Sequence, residues 1–165
     1  MTKIDVGALF LREKPERMML ALKTAGRPIY VAEISKEAES TYAHTLRVLA
    51  KLEELGLVGF EENGRVKLVT LTESGDALAE KLLDMMDVLE LAEIGRAVEE
   101  LYGKEVKGRL REDVNKEAVL NKLEQQAKRL ERLSQGKPEV IEKLVKRRVK
   151  RIDDISREVK GLIVG

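Results

Sequence analysis

The spacing of apolar residues changes period twice along the chain, and each change marks an element. From Pro15, Met18, Met19 and Leu22 recur at helical spacing until Gly26. Proline is tolerated in a helix's first turn, where its missing N–H would have no partner, so a helix over 15–25 is predicted. Val31, Ile34 and Ala38 share one face of a two-turn helix over 31–38. Thr41, Thr45, Val48, Leu49, Leu52 and Leu55 form one stripe of a longer helix over 41–55, with Ser40 as its expected N-cap and Gly56 as its stop. The period then becomes two. LVGFE (57–61) and RVKLVTL (65–71) flank Glu62, Asn63 and Gly64, and Asn-Gly between alternating runs predicts a hairpin with Gly64 at positive φ. A shorter strand signal lies at Ile29, Tyr30 and Val31. Helical spacing returns over 76–89, which places Leu78, Leu82, Met85, Met86 and Leu89 on an expected core face.

Beyond residue 90 the chain reads helix after helix, broken near Gly103, Gly108 and the segment 134–138. Leu120, Leu123, Ala127 and Leu130 repeat as coiled-coil core positions do. Ile141, Val145, Arg148, Ile152, Ile155, Val159 and Leu162 keep the same beat, with Arg148 the one polar member. The two stretches form an antiparallel hairpin or pack on a partner. Their apolar stripes exceed what one small domain covers, so a homodimer is expected through Leu123, Leu130, Ile152, Ile155, Val159 and Leu162. An intramolecular bundle against the 76–89 helix is the alternative. The expected organisation is a 1–90 DNA-binding domain followed by a 91–165 helical dimerisation region.

The order helix, short strand, helix, turn, helix, hairpin, helix is that of a winged helix-turn-helix, which makes the expected fold mainly α with a small β-hairpin wing. TYAHTLRVLAKLEELGLV, the Gly64-Arg65 wing and LTESGDALAEKL resemble the recognition helix, wing and following helix of MarR-like and related archaeal winged-helix regulators. The specific part is KLEELGLV (51–58) followed by LTESG (71–75), and the resemblance covers roughly residues 14–90. It implies DNA binding and transcription regulation. It also implies a site for a small-molecule effector between the winged domain and the dimer helices, although no residue identifies one.

Composition narrows the chemistry. At 165 residues and 43% hydrophobic content the chain can bury a real core. Its 31 Lys and Arg nearly cancel 30 Asp and Glu, but residues 1–88 carry 12 basic and 15 acidic side chains, and 89–165 carry 19 and 15. A nucleic-acid partner must therefore be argued from local charge. The absence of Cys and the single His44 exclude a disulfide framework, a thiolate or multi-His metal site and a Cys nucleophile. No Gly-rich phosphate loop or isolated carboxylate pair occurs, so neither catalysis nor a cofactor is expected. The longest apolar run, Met18 to Leu22, is far short of a membrane span, and the N-terminus lacks a signal-peptide plan, which leads to the expectation of a cytoplasmic protein. Charged residues at 37% with few Asn and Gln are usage typical of thermophile proteins, and the resemblance to archaeal regulators implies an archaeal source.

The front of the second helix of a helix-turn-helix enters the major groove, so Tyr42, His44, Arg47 and Lys51 are the candidates to reach double-stranded DNA. Arg47 can bond a guanine edge with both arms of its fork or hold a phosphate; its bland alternative is a surface ion pair with Glu54 or Glu39. Ser40, Thr41 and Tyr42 suit phosphate and sugar oxygens, and His44 is either a DNA contact or a plain surface residue. The resemblance implies that Arg65, after the wing turn, reaches the minor groove, with Lys67 on the second strand beside it. Glu61 and Glu62 depart from that pattern, because carboxylates near phosphates are repelled. They favour the rival function, a winged-helix module for protein interaction or assembly. The run Lys143, Lys146, Arg147, Arg148, Lys150, Arg151 is the strongest basic patch, either neutralising phosphates or forming a solvated, ion-paired face.

Overall fold

A computed structural model describes residues 14–63, 66–134 and 136–161. The chain divides into two compact units between Leu83 and Asp84, ahead of the boundary expected after residue 90, and each has its own core. The first holds α1 (Pro15–Ala25), β1 (Ile29–Tyr30), α2 (Val31–Glu37), α3 (Tyr42–Glu54), β2 (Val58–Asn63), β3 (Val66–Leu71) and the first turns of α4 (Glu73–Glu105). Met18, Met19, Leu22, Val31, Ile34, Ala38, Val48, Leu49 and Leu52 are buried in its core, as their helical spacing requires. Gly26, at φ 60°, ends α1 by donating its N–H to the Leu22 carbonyl, a left-handed stop that a side chain would oppose.

Two local expectations need correction. Ser40 does not cap α3. Ser40 still closes α2, its N–H donating to the Ser35 carbonyl, and its hydroxyl turns to the Thr41 carbonyl at 3.5 Å; the cap is Thr41, whose Oγ1 accepts the His44 N–H at 3.3 Å. The hairpin turn is also displaced by one residue. The antiparallel sheet, in order β1-β3-β2, aligns Ile29 with Val69, Phe60 with Val69 and Val58 with Leu71, and this apolar register ends on Asn63 opposite Val66. Asn63 is therefore a strand residue. Gly64 and Arg65 connect the strands but lie outside the described residues, so the φ expected of Gly64 falls outside them too.

The segment from α3 into α4 shows what the GLV and LTESG phrases do. Thr72 Oγ1 donates to the Gly56 carbonyl at 2.6 Å and accepts the Gly75 N–H at 3.0 Å, while its own N–H reaches the Leu57 carbonyl. That carbonyl sits so close to Gly75 that a Cβ there would lie 1.8 Å from its oxygen. Lys23 at the end of α1 clasps Asp76 in the first turn of α4 at 2.7 and 2.8 Å, which raises the lysine's pKa.

In the second unit α4 does not stop at Leu89 but runs to Glu105. Its Leu91, Ile94 and Val98 pack with Val119, Leu123 and Leu130 of α5 (Lys116–Arg132) and with Ile141, Val145, Ile152, Ile155 and Val159 of α6 (Glu139–Gly161). This corrects two further expectations. Leu123, Leu130, Ile152, Ile155 and Val159 are at most 4% exposed within one chain, so they form the core of a single-chain bundle and not a seam open to a second copy. The apolar stripe 91-94-98 on the extended α4 covers what the sequence left uncovered. Leu162 lies outside the described residues. Met85, Met86 and Leu89, expected in the core, are 47, 49 and 57% exposed, because they point away from the 91-94-98 face at 100° per residue. Arg148, the polar member of the α6 stripe, lays its guanidinium on Gly95, where a Cβ would fall 2.3 Å from Cζ. No helix among the described residues is long and apolar enough to cross a membrane.

Candidate nucleic-acid interface

One face of α3 is bolted down by Thr45, Val48, Leu49 and Leu52, all buried. The opposite face therefore presents Ala43, Arg47 and Ala50, all exposed. Arg47 stands at the centre of that face between two alanines, so its side chain projects beyond its neighbours. Among the described residues it has no ion-pair partner. Glu39, one carboxylate that could have taken it, is instead held by Arg17 at 2.6 Å, and Lys14 Nζ donates to the Glu39 carbonyl. Glu39 makes the turn between α2 and α3 at φ 49°, a conformation that glycine or asparagine adopts with less strain.

The remaining candidates spread around this centre. Tyr42 is exposed at the first turn of α3, Thr41 is the cap, and Ser40 and His44 are half-buried beside it. Lys51 is half-buried one turn beyond Arg47, with an interaction of its own. Lys67 on β3 is exposed, and its Nζ stands 5.8 Å from the centre of the Phe60 ring. In the strand register Glu62 pairs with Lys67. Arg65 lies outside the described residues.

Tyr42, Leu46 and Lys67 come together with Tyr30, Val31 and Glu33 around an open cavity of about 640 Å³. Tyr30 was missed as a candidate. The strand alternation at 29–30 carries the signal, since Ile29 turns inward and Tyr30 outward. Glu33 would oppose a polyanion here. The Tyr30 backbone N–H donates to its carboxylate at 3.2 Å and Arg27 pairs with it at 3.1 Å, and together these hold its pKa below the usual range.

Of the distant basic run, two members are used internally. Arg151 makes a two-armed bond to Glu99 at 2.7 and 2.8 Å, with its guanidinium 4.8 Å from the centre of the Tyr102 ring. The bond keeps the Glu99 carboxyl below its ordinary pKa. Arg148 covers Gly95. The run is therefore not one continuous patch.

No family model matches the sequence. A protein from Archaeoglobus fulgidus is 25% identical over 85 residues, which span 50% of this chain and 90% of that protein. Among solved structures, one from Archaeoglobus fulgidus is 24% identical, with a TM-score of 0.45 over 48% of this chain and 90% of its own. A MarR family transcriptional regulator from Silicibacter pomeroyi is 25% identical, with a TM-score of 0.45 over 52% of this chain and 62% of its own. MepR, a transcription regulator of the Staphylococcus aureus multidrug efflux pump MepA, is 21% identical, with a TM-score of 0.46 over 50% of this chain and 63% of its own. The helix order, the three-stranded antiparallel sheet and the outward face of α3 make the first unit a winged helix-turn-helix.

Proposed function

We propose that the chain is a sequence-specific DNA-binding transcriptional regulator that acts as a dimer. The observation that carries this reading is Arg47, projecting without an ion-pair partner among the described residues from a helix whose opposite face is locked in the core. Small neighbours let a helix seat deeply in a major groove, and a guanidinium can then bond O6 and N7 of one guanine. Tyr42 and the Thr41 hydroxyl, at the same end of α3, suit phosphate and sugar oxygens. Two copies would address half-sites about one helical turn apart, roughly 34–36 Å. The exposed Met85, Met86 and Leu89 on α4 support a second copy as partner, since an isologous contact lets the same apolar patch cover itself.

Fluorescence anisotropy on a duplex selected from genomic fragments, and on its scrambled counterpart, tests the reading. Arg47→Ala should lose about 1–3 kcal/mol against the selected duplex and much less against the scrambled one, because a base contact discriminates and a phosphate contact does not. Equal losses on both would make Arg47 a backbone contact. The exposed Glu61 beside the hairpin turn favours a second reading, a winged helix used for protein assembly. Failure of the wild-type chain to bind any duplex at low salt would establish that reading over the first.

A further inference from the structure

We propose that the solvent face of α6 is a sequence-independent binding site for the phosphate backbone of duplex DNA, formed by Lys143, Lys146, Arg147 and Lys150. The inference rests on the DNA-binding reading above but uses none of the residues of α3.

At 100° per residue these four positions fall within about a 100° arc of the helix. They stand opposite the stripe Ile141, Val145, Ile152, Ile155 and Val159 that α6 buries in its own unit. All four are exposed. The pairing of the neighbouring charges isolates them further. Arg148 and Arg151, adjacent in sequence, are turned inward onto Gly95 and Glu99. At one end of the strip Glu139 holds Lys143 at 2.6 Å, and beyond the other Asp154 is taken by Arg157 at 3.2 Å. Between them Lys146, Arg147 and Lys150 have no acidic partner among the described residues.

Spacing and surroundings then select the partner. From Lys143 to Lys150 is seven steps of about 1.5 Å, roughly 10 Å of helix. One strand of a duplex presents a phosphate about every 3.4 Å along its axis, so the strip spans about three of them. A membrane surface fits less well. A helix that lies in a lipid interface needs an apolar face to insert, and the apolar stripe of α6 is already buried beneath it.

The full chain carrying Lys146→Gln, Arg147→Gln and Lys150→Gln together is titrated against the selected and scrambled duplexes at several salt concentrations. Each lost phosphate contact should lower the slope of log affinity against log salt by about 0.9, so a reduction of roughly two to three is expected. Affinity at low salt should fall at least about tenfold on both duplexes alike, leaving their ratio unchanged, where Arg47→Ala changes the ratio. The charge-conserving pair Lys146→Arg with Lys150→Arg should bind as the wild type does. All three positions are exposed, and an unchanged helical circular dichroism spectrum checks that the fold is intact. Wild-type slope and affinity in the triple variant would overturn the proposal while leaving the DNA reading standing. No duplex binding by the wild type at low salt would overturn both. Loss of binding to phosphatidylserine vesicles, with duplex binding unchanged, would assign the strip to a lipid surface and overturn the proposal as well.

Discussion

At the scale of the residue, two glycines show how the same substitution changes sign with what it meets. In a helix interior, alanine in place of glycine gains up to about 1 kcal/mol in propensity. At Gly75 the new methyl would meet the Leu57 carbonyl, which is backbone and already accepts the Thr72 N–H. Gly75→Ala should therefore destabilise by about 3 kcal/mol or more, lowering the urea midpoint of unfolding. At Gly95 the methyl would meet the far end of Arg148, which can swing away. Gly95→Ala should stay within about 1 kcal/mol of the wild type. If the two variants unfold at the same denaturant concentration, the close contact at Gly75 is wrong. The motif LTESG was visible in the sequence as a resemblance, whereas the reason for its glycine lies in a carbonyl eighteen positions earlier in the chain.

At the scale of the element, α4 carries an apolar residue on almost every face, and this is why its reading went astray. Leu78, Leu82, Met85 and Leu89 make one helical stripe; Leu91, Ile94 and Val98 make another on the far side. Periodicity finds both and cannot say which is covered. The bundle buries the second, and with it the stripes of α5 and α6 expected at a dimer seam. Ile155, fully buried, tests this directly. Ile155→Asp desolvates a carboxylate without a partner. It should unfold the second unit, removing a large share of the helical circular dichroism signal while the first unit, with its own core, stays folded. A folded variant that merely dissociates would return Ile155 to an intermolecular seam.

At the scale of the whole molecule, burial of the expected seam means that the proposed dimer needs another surface. Met85, Met86 and Leu89 form an exposed apolar patch on one face of α4. Leu89→Asp should convert a dimer to a monomer by sedimentation at micromolar concentration with helix content unchanged, because the side chain is 57% exposed and its loss leaves no cavity. A stable wild-type monomer at that concentration would remove the dimer from the proposed function. Since two linked recognition helices bind a two-part site by avidity, the monomeric variant should also lose affinity for the selected duplex by a larger factor than for a single half-site.

What the sequence determined by itself is the first unit, element by element. Pro15 and Gly26 bound α1, Gly56 stops α3, and the buried stripe Val48, Leu49, Leu52 leaves Arg47 outward, although the cap of α3 falls on Thr41 one residue after the expected Ser40. These signals act within one or two helical turns, so local conformational preference is enough to read them. The turn between β2 and β3 escaped by one residue because its register follows the apolar pairing of Val58, Phe60, Val69 and Leu71 across the strands, not the Asn-Gly pair. The second unit was decided only by tertiary structure. Which of two apolar stripes on α4 is buried, and which arginines of the α6 run turn inward to Gly95 and Glu99, depend on helices fifty residues apart meeting in space. Hydrophobic burial is non-directional, and it names its partners only when the chain has packed.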